Sequence, residues 1–268
     1  MIQKALRIIS LHPKLAAGID VVAALIFLWL VRYVHGWYGI AVWTLARVLW
    51  WVVISQFMFY PSYAKRFHHW LSLFFFQIGI ASYFIFLEPG VAYALACVLF
   101  IILPFYSFWL VPEKENTLPV VAKSYRRWRL MQSVAGVAGL ATGIFALITY
   151  QIISETLHAI LVVGAGVLFT AFISSWWWYE YGAMVNRKFW FLSAFMLFML
   201  GELAYVFLLL PWGYLVAGLV FAWIWYVLWI MIRFHLSSEG IDWKRQRWFL
   251  ATNLGALALI LLFIVRWY

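Results

Sequence analysis

Uninterrupted apolar stretches of about 20 residues, the length of a membrane-crossing helix, recur along this chain, as between Val91 and Val111. In lipid, only helices and closed barrels satisfy every backbone polar group. A barrel needs alternating apolar and polar residues, and these stretches do not alternate. The chain is 68% hydrophobic and 10% charged, whereas soluble domains carry about 25% charged residues. We therefore predict an all-α, polytopic integral membrane protein.

Nine apolar segments are separated by turn signals such as Glu88-Pro89-Gly90 and Pro211-Trp212-Gly213. They predict about nine transmembrane helices in a single transmembrane domain over 1–268. The predicted segments are 17–35, 37–59, 69–87, 91–111, 131–152, 156–179, 189–209, 212–234 and 247–267.

Weak internal similarity suggests a duplication of four helices. Ile54, Ser55, Tyr60 and Ala64 recur as Ile173, Ser174, Tyr179 and Ala183. The constant offset between the two sets of residues would relate 17–111 to 131–234 and leave 247–267 as an extra ninth helix. Units with an even number of helices give parallel repeats. Coincidence is the alternative, because the chain is built from few residue types.

The basic residues predict the orientation of the chain. All but three of the 19 Lys and Arg residues fall in or beside every second connection, and the exceptions are Arg32, Arg47 and Arg266. Cytoplasmic loops are enriched in Lys and Arg. We therefore expect the cytoplasmic (inner) membrane, with the N-terminus in the cytoplasm and the C-terminus outside. The inner segments would be 1–16, 60–68, 112–130, 180–188 and 235–246.

Two opposite charges fall inside predicted spans at similar depths, Arg47 in the second and Glu202 in the seventh. A charge at the bilayer centre costs at least about 2.5 kcal/mol. They could form a buried ion pair, line a polar pocket for a substrate, ion or lipid head group, or be solvated separately. Asp20, near the inner end of the first span, is a further candidate for this site or an interfacial acid near Lys14.

Tryptophans accompany these features. Trp43, Trp50 and Trp51 flank Arg47 at near-helical spacing and predict a cation–π contact. Trp176-Trp177-Trp178 lies at the inner end of its span, where indole rings favour the head-group layer. We expect a membrane-interface belt there, with an aromatic wall for a flat or polyisoprenoid ligand as the alternative.

Basic residues interleaved with aromatics occur in two inner segments beside spans. Because of that position, we expect contact with anionic lipid head groups on the cytoplasmic side rather than with nucleic acid. The predicted head-group ligands are Lys123, Arg126, Arg127, Arg129, Lys244, Arg245 and Arg247.

The sequence contains no pattern that is typical of a metal or cofactor site. The six histidines are scattered near span ends, and Cys97 is the single cysteine. Haem needs imidazoles at matched depth, and a metal site needs several convergent ligands. We expect no cofactor and no metal.

Three functions remain open. A small transporter or permease-like protein with a polar site around Arg47 and Glu202 is favoured. The alternatives are a non-catalytic subunit of a membrane assembly, with membrane-protein partners or as a homo-oligomer, and a lipid- or polyprenyl-active enzyme. No acid, base or nucleophile stands out for catalysis. A water-accessible cavity at Arg47 would favour the transporter, and dry packing would favour the subunit.

Overall fold

A computed structural model describes residues 12–33, 36–56, 67–111, 119–237 and 243–263. Within these ranges the regular structure is entirely helical and comprises nine helices. The helices are α1 (Pro13–Val31), α2 (Gly36–Gln56), α3 (Phe67–Phe86), α4 (Val91–Trp109), α5 (Pro119–Thr149), α6 (Thr156–Glu180), α7 (Arg187–Leu209), α8 (Tyr214–Leu236) and α9 (Trp243–Phe263).

The all-helical prediction is confirmed, and each of the nine apolar segments coincides with a helix. Six helices are long and apolar enough to cross a membrane: α1, α4, α6, α7, α8 and the Lys123–Thr149 part of α5. Shorter apolar stretches, Tyr38–Ile54, Leu71–Phe86 and Gln246–Leu262, lie within α2, α3 and α9. The four-helix duplication stays a prediction, and two residues on which it rests, Tyr60 and Ala64, lie outside the described residues.

Three helices, α1, α5 and α9, begin at least four residues earlier than the apolar pattern indicates. Pro13 occupies the first turn of α1, where its missing N–H costs nothing, and the His12 side chain caps the helix by accepting from the Lys14 N–H. Helix α5 begins at Pro119, so much of the segment expected as an inner loop is helical. Lysine and arginine form helices well and need no apolar surroundings to do so.

The chain divides into two compact units, 1–139 and 140–268. In the first unit, α1 packs against α4 and α2, and α3 packs against α2 and α4. In the second unit, α7 packs against α6 and α8, and α8 also contacts α6 and α9.

Glycines bring α3 and α5 into very close contact in the first unit. A methyl group added at Gly79 would overlap the Gly136 backbone, and one added at Gly139 would overlap the Gly79 backbone. Small residues allow such an approach between apolar helices, which then gain dispersion contacts over the whole interface. The pair of helices therefore depends on the absence of a side chain at these positions.

The core of the second unit is a tryptophan and serine network between α6 and α8. Trp225 Nε1 donates to Ser174 Oγ at 2.7 Å, and Trp229 Nε1 donates to the Ser174 carbonyl at 3.2 Å. Trp178 Nε1 donates to the Trp229 carbonyl at 3.2 Å. Trp177 and Trp178 are fully buried. The expectation of an interface belt is therefore wrong for these two side chains, which pack inside the unit.

The substitution Trp225→Phe is expected to lower the free energy of unfolding by about 1–3 kcal/mol, because Ser174 loses a donor and the smaller ring leaves space. The matched control is Trp190→Phe, whose side chain is exposed; its effect should stay within about 0.5 kcal/mol. Thermal unfolding of the purified chain in mild detergent measures both. Equal effects of the two substitutions would contradict the network's contribution.

Candidate functional site

A buried ion pair joins α1 and α2 in the first unit. Arg47 Nη2 donates to Asp20 Oδ2 at 3.0 Å, and both side chains are 0% exposed. Asp20 lies 11 residues before the last residue of α1, and Arg47 lies 11 residues after the first residue of α2. Consecutive helices joined by a short turn run antiparallel, so residues equally far from the turn lie at the same depth. The hairpin itself therefore places the two charges side by side.

The other carboxylate oxygen of Asp20 accepts two indole N–H groups. Trp50 Nε1 lies 3.2 Å and Trp51 Nε1 lies 3.0 Å from Asp20 Oδ1. A buried carboxylate is tolerated when hydrogen bonds and a counterion replace its hydration. Three side chains of α2, those of Arg47, Trp50 and Trp51, thus donate hydrogen bonds to the Asp20 carboxylate on α1.

Aromatic rings surround the Arg47 guanidinium. Its Cζ atom lies 5.3 Å from the Phe27 ring centroid, 4.9 Å from that of Trp51 and 5.0 Å from that of Phe100. The predicted cation–π contact is confirmed for Trp51. Trp43 is instead bound to the Phe27 carbonyl, at 2.9 Å, and stacks on Phe100. The charge is therefore held by ring faces contributed by α1, α2 and α4.

Two nitrogens of Arg47, Nε and Nη1, have no hydrogen-bond partner among the described residues. Leaving a buried donor unpaired costs about 1–3 kcal/mol. The ring faces offset part of that cost, since an aromatic quadrupole attracts a cation. The site is therefore enclosed, and two donor nitrogens of the guanidinium are left without a partner among the described residues.

The structure gives Arg47 a different counterion from the one the sequence favoured. Asp20 neutralises it, so the interpretation of Asp20 as an interfacial acid near Lys14 is wrong, and Lys14 lies over the Trp109 ring instead. The sequence favours Glu202 as the partner of Arg47 because the two residues carry opposite charges at similar depths within predicted spans. The equal spacing of Asp20 and Arg47 from the turn was the signal that could have identified the pair.

Glu202 lies on an exposed face of α7 in the second unit. Its carboxylate makes no hydrogen bond or ion pair with the described residues of the second unit. Seven residues separate it from the last residue of α7, Leu209, so it lies about 10 Å from that end of the helix. Arg47 and Glu202 thus have opposite environments, one enclosed and one exposed.

The predicted head-group ligands also differ in environment. The Arg129 side chain is buried and its Nε donates to Ser72 Oγ at 3.1 Å, so it contributes to the interior of the first unit. Arg126 is half-buried. The Arg245 side chain lies outside the described part of the chain. Four of the predicted ligands are exposed: Lys123, Arg127, Lys244 and Arg247.

Within the ranges that the structure describes, no group of three or more His, Cys, Asp or Glu residues could hold a metal ion. A small, partly open pocket in the second unit is lined almost entirely by apolar side chains of α5 to α8, with Thr170 as its polar member. Comparison of the chain with protein-family models, curated proteins and solved structures gave no match.

Proposed function

We propose that this chain is a polytopic membrane protein that acts as a non-catalytic subunit of a membrane assembly. The full burial of the Asp20–Arg47 pair among aromatic rings carries the proposal. A transport site has to exchange with water on each side of the membrane in turn. Close-packed rings around Arg47 leave no path for that exchange without repacking of α1, α2 and α4. A closed pair of this kind supports a structural role.

Six helices long and apolar enough to span a membrane support the membrane assignment. The proposed orientation has the N-terminus in the cytoplasm, which puts the exposed cations Lys123, Arg127, Lys244 and Arg247 at the cytoplasmic surface. Anionic lipids attract each such residue by about 1 kcal/mol. These side chains would set the depth of the chain in the bilayer and would not take part in chemistry.

Purification in mild detergent from the native membrane tests this proposal. We expect native mass spectrometry to give one complex that contains this chain and at least one other membrane protein in fixed stoichiometry. Repeating the purification in a harsher detergent should release the chain as a folded monomer. A monodisperse monomer in mild detergent, at every lipid content tried, would contradict the subunit function.

A small transporter of anions is the second candidate, and one observation favours it. The unpaired Nε and Nη1 atoms of Arg47 could bind an anionic oxygen if α1 and α2 separated. The same preparation decides between the candidates after reconstitution into liposomes. Anion uptake that is lost in Arg47→Met while the protein remains folded would favour the transporter. Absence of uptake by the unaltered chain would remove this candidate.

A further inference from the structure

We propose that the outer face of α7 is a docking surface for a transmembrane helix of another protein, and that the partner helix carries a lysine or arginine within its span. This inference rests on the proposed function, because it identifies the chemistry of the partner. We call the surface the α7 stripe and define it as Phe191, Phe195, Phe198, Glu202, Tyr205 and Leu209.

Helical geometry puts these six residues on one side of α7. Their intervals are four, three, four, three and four residues, the spacing of the seam along which two helices pack. All six are exposed, and the rings of Phe191, Phe198 and Tyr205 are more than 60% exposed. The opposite side of α7 forms its contacts within the unit through Phe189, Met196, Leu200, Ala204 and Phe207. The helix therefore has a second face that the described residues of the second unit do not cover.

Glu202 shows what kind of partner fits this face. A lone carboxylate facing hydrocarbon costs at least about 2.5 kcal/mol, and charged residues within spans pair with one another or face water. Here the described residues of the second unit supply no counterion. A cation on a neighbouring helix at the same depth would satisfy the carboxylate through a charge-assisted hydrogen bond. Charge complementarity thus favours a basic partner helix.

A second copy of this chain fits the surface poorly. Two copies related by an axis along the membrane normal would bring the two Glu202 carboxylates together, and like charges repel. Arg47, a cation near the middle of α2, is enclosed and already paired with Asp20, so it is not available to Glu202 of a second copy. A different protein is therefore the occupant that supplies the missing charge.

Gly201 lies beside Glu202 and supports the same conclusion. A methyl group added there would meet no atom within 4 Å, so packing inside the unit does not require glycine at this position. Glycine inside a helix costs about 0.5–1 kcal/mol relative to alanine. Small residues at the surface of a transmembrane helix allow a neighbouring helix to approach closely.

Site-specific photocrosslinking in the native membrane tests the docking surface. A benzophenone amino acid replaces Phe198 in the stripe or, as a matched control, Phe172, an exposed phenylalanine of α6. We expect a crosslink from position 198 to one membrane protein with a Lys or Arg in its span, and none from position 172 to that protein. The variant Glu202→Gln should reduce the crosslinked fraction about tenfold. Glu155→Gln, at an exposed carboxylate outside the stripe, should leave it unchanged.

Charge exchange completes the test. The variant Glu202→Lys should abolish the crosslink, and replacement of the partner's cation with glutamate should restore it. A crosslink to a second copy, to lipid alone, or to a protein without a cation in its span would overturn the inference. So would a crosslink that Glu202→Gln leaves unchanged. If a complex still purifies in those cases, the subunit function survives and only the docking surface is wrong; if the chain is a monomer, both fail.

Discussion

The substitution Asp20→Ala is expected to lower the free energy of unfolding by about 3–5 kcal/mol, the usual cost of breaking a buried ion pair by removing one partner. It takes away the carboxylate that Arg47 contacts at 3.0 Å and leaves the guanidinium charged among aromatic rings. The indole N–H groups of Trp50 and Trp51 lose their acceptor as well. Thermal unfolding in mild detergent, followed by tryptophan fluorescence, measures the loss.

Removing both charges is the informative control for that experiment. The double variant Asp20→Ala/Arg47→Met is expected to be more stable than Asp20→Ala alone, because no unpaired charge remains. Glu155→Ala removes an exposed partner of His158 and should change the stability by less than about 0.5 kcal/mol. Losses at Asp20 and Arg47 that simply add in the double variant would show that the two residues act independently.

The second large effect is expected at Gly79. The substitution Gly79→Ala puts a methyl group into the Gly136 backbone, and neither helix can relieve the overlap by rotating a side chain. Overpacking in a tight core costs about 1–3 kcal/mol and more where backbones must separate. We expect the free energy of unfolding to fall by about 3 kcal/mol, measured by thermal unfolding in mild detergent.

Gly164→Ala is the matched control for Gly79→Ala. Gly164 lies in α6, and a methyl group there would meet nothing within 4 Å. Alanine should therefore stabilise the helix by about 0.5–1 kcal/mol. If the two alanine variants unfold at the same temperature, the close contact between α3 and α5 does not contribute to stability.

The helices were predictable because the signals for each helix, an apolar stretch and the turn residues beside it, lie close together in the sequence. A predominantly apolar stretch of 19 residues that follows a turn signal, as from Val91 to Trp109, predicts a helix whatever its neighbours are. The ends were less predictable where the helix continues into charged residues. Helix α5 extends back to Pro119 through Lys123 and Arg126, which hydropathy alone assigns to a loop.

Side-chain partners were less predictable because they depend on packing between helices. Depth and opposite charge matched Arg47 with Glu202, yet the partner of Arg47 lies on the preceding helix. Asp20 can be identified as the charged residue of α1 that lies as far from the turn between α1 and α2 as Arg47 does in α2. Trp177 and Trp178 show the same limit, since position near a span end predicted a lipid-facing belt, whereas both rings are buried within the second unit.

The Asp20–Arg47 pair also bears on how the chain is made. In a chain that enters a bilayer from the ribosome, α1 would emerge before α2 and carry an acid that hydrocarbon disfavours, and α2 would carry a base that hydrocarbon disfavours as well. Each insertion alone carries a penalty of about 2.5–3.5 kcal/mol at the membrane centre. Because 27 residues separate the two charges, they neutralise each other as soon as α2 is complete. In a membrane, this pairing would favour entry of α1 and α2 as a hairpin over entry of one helix after the other.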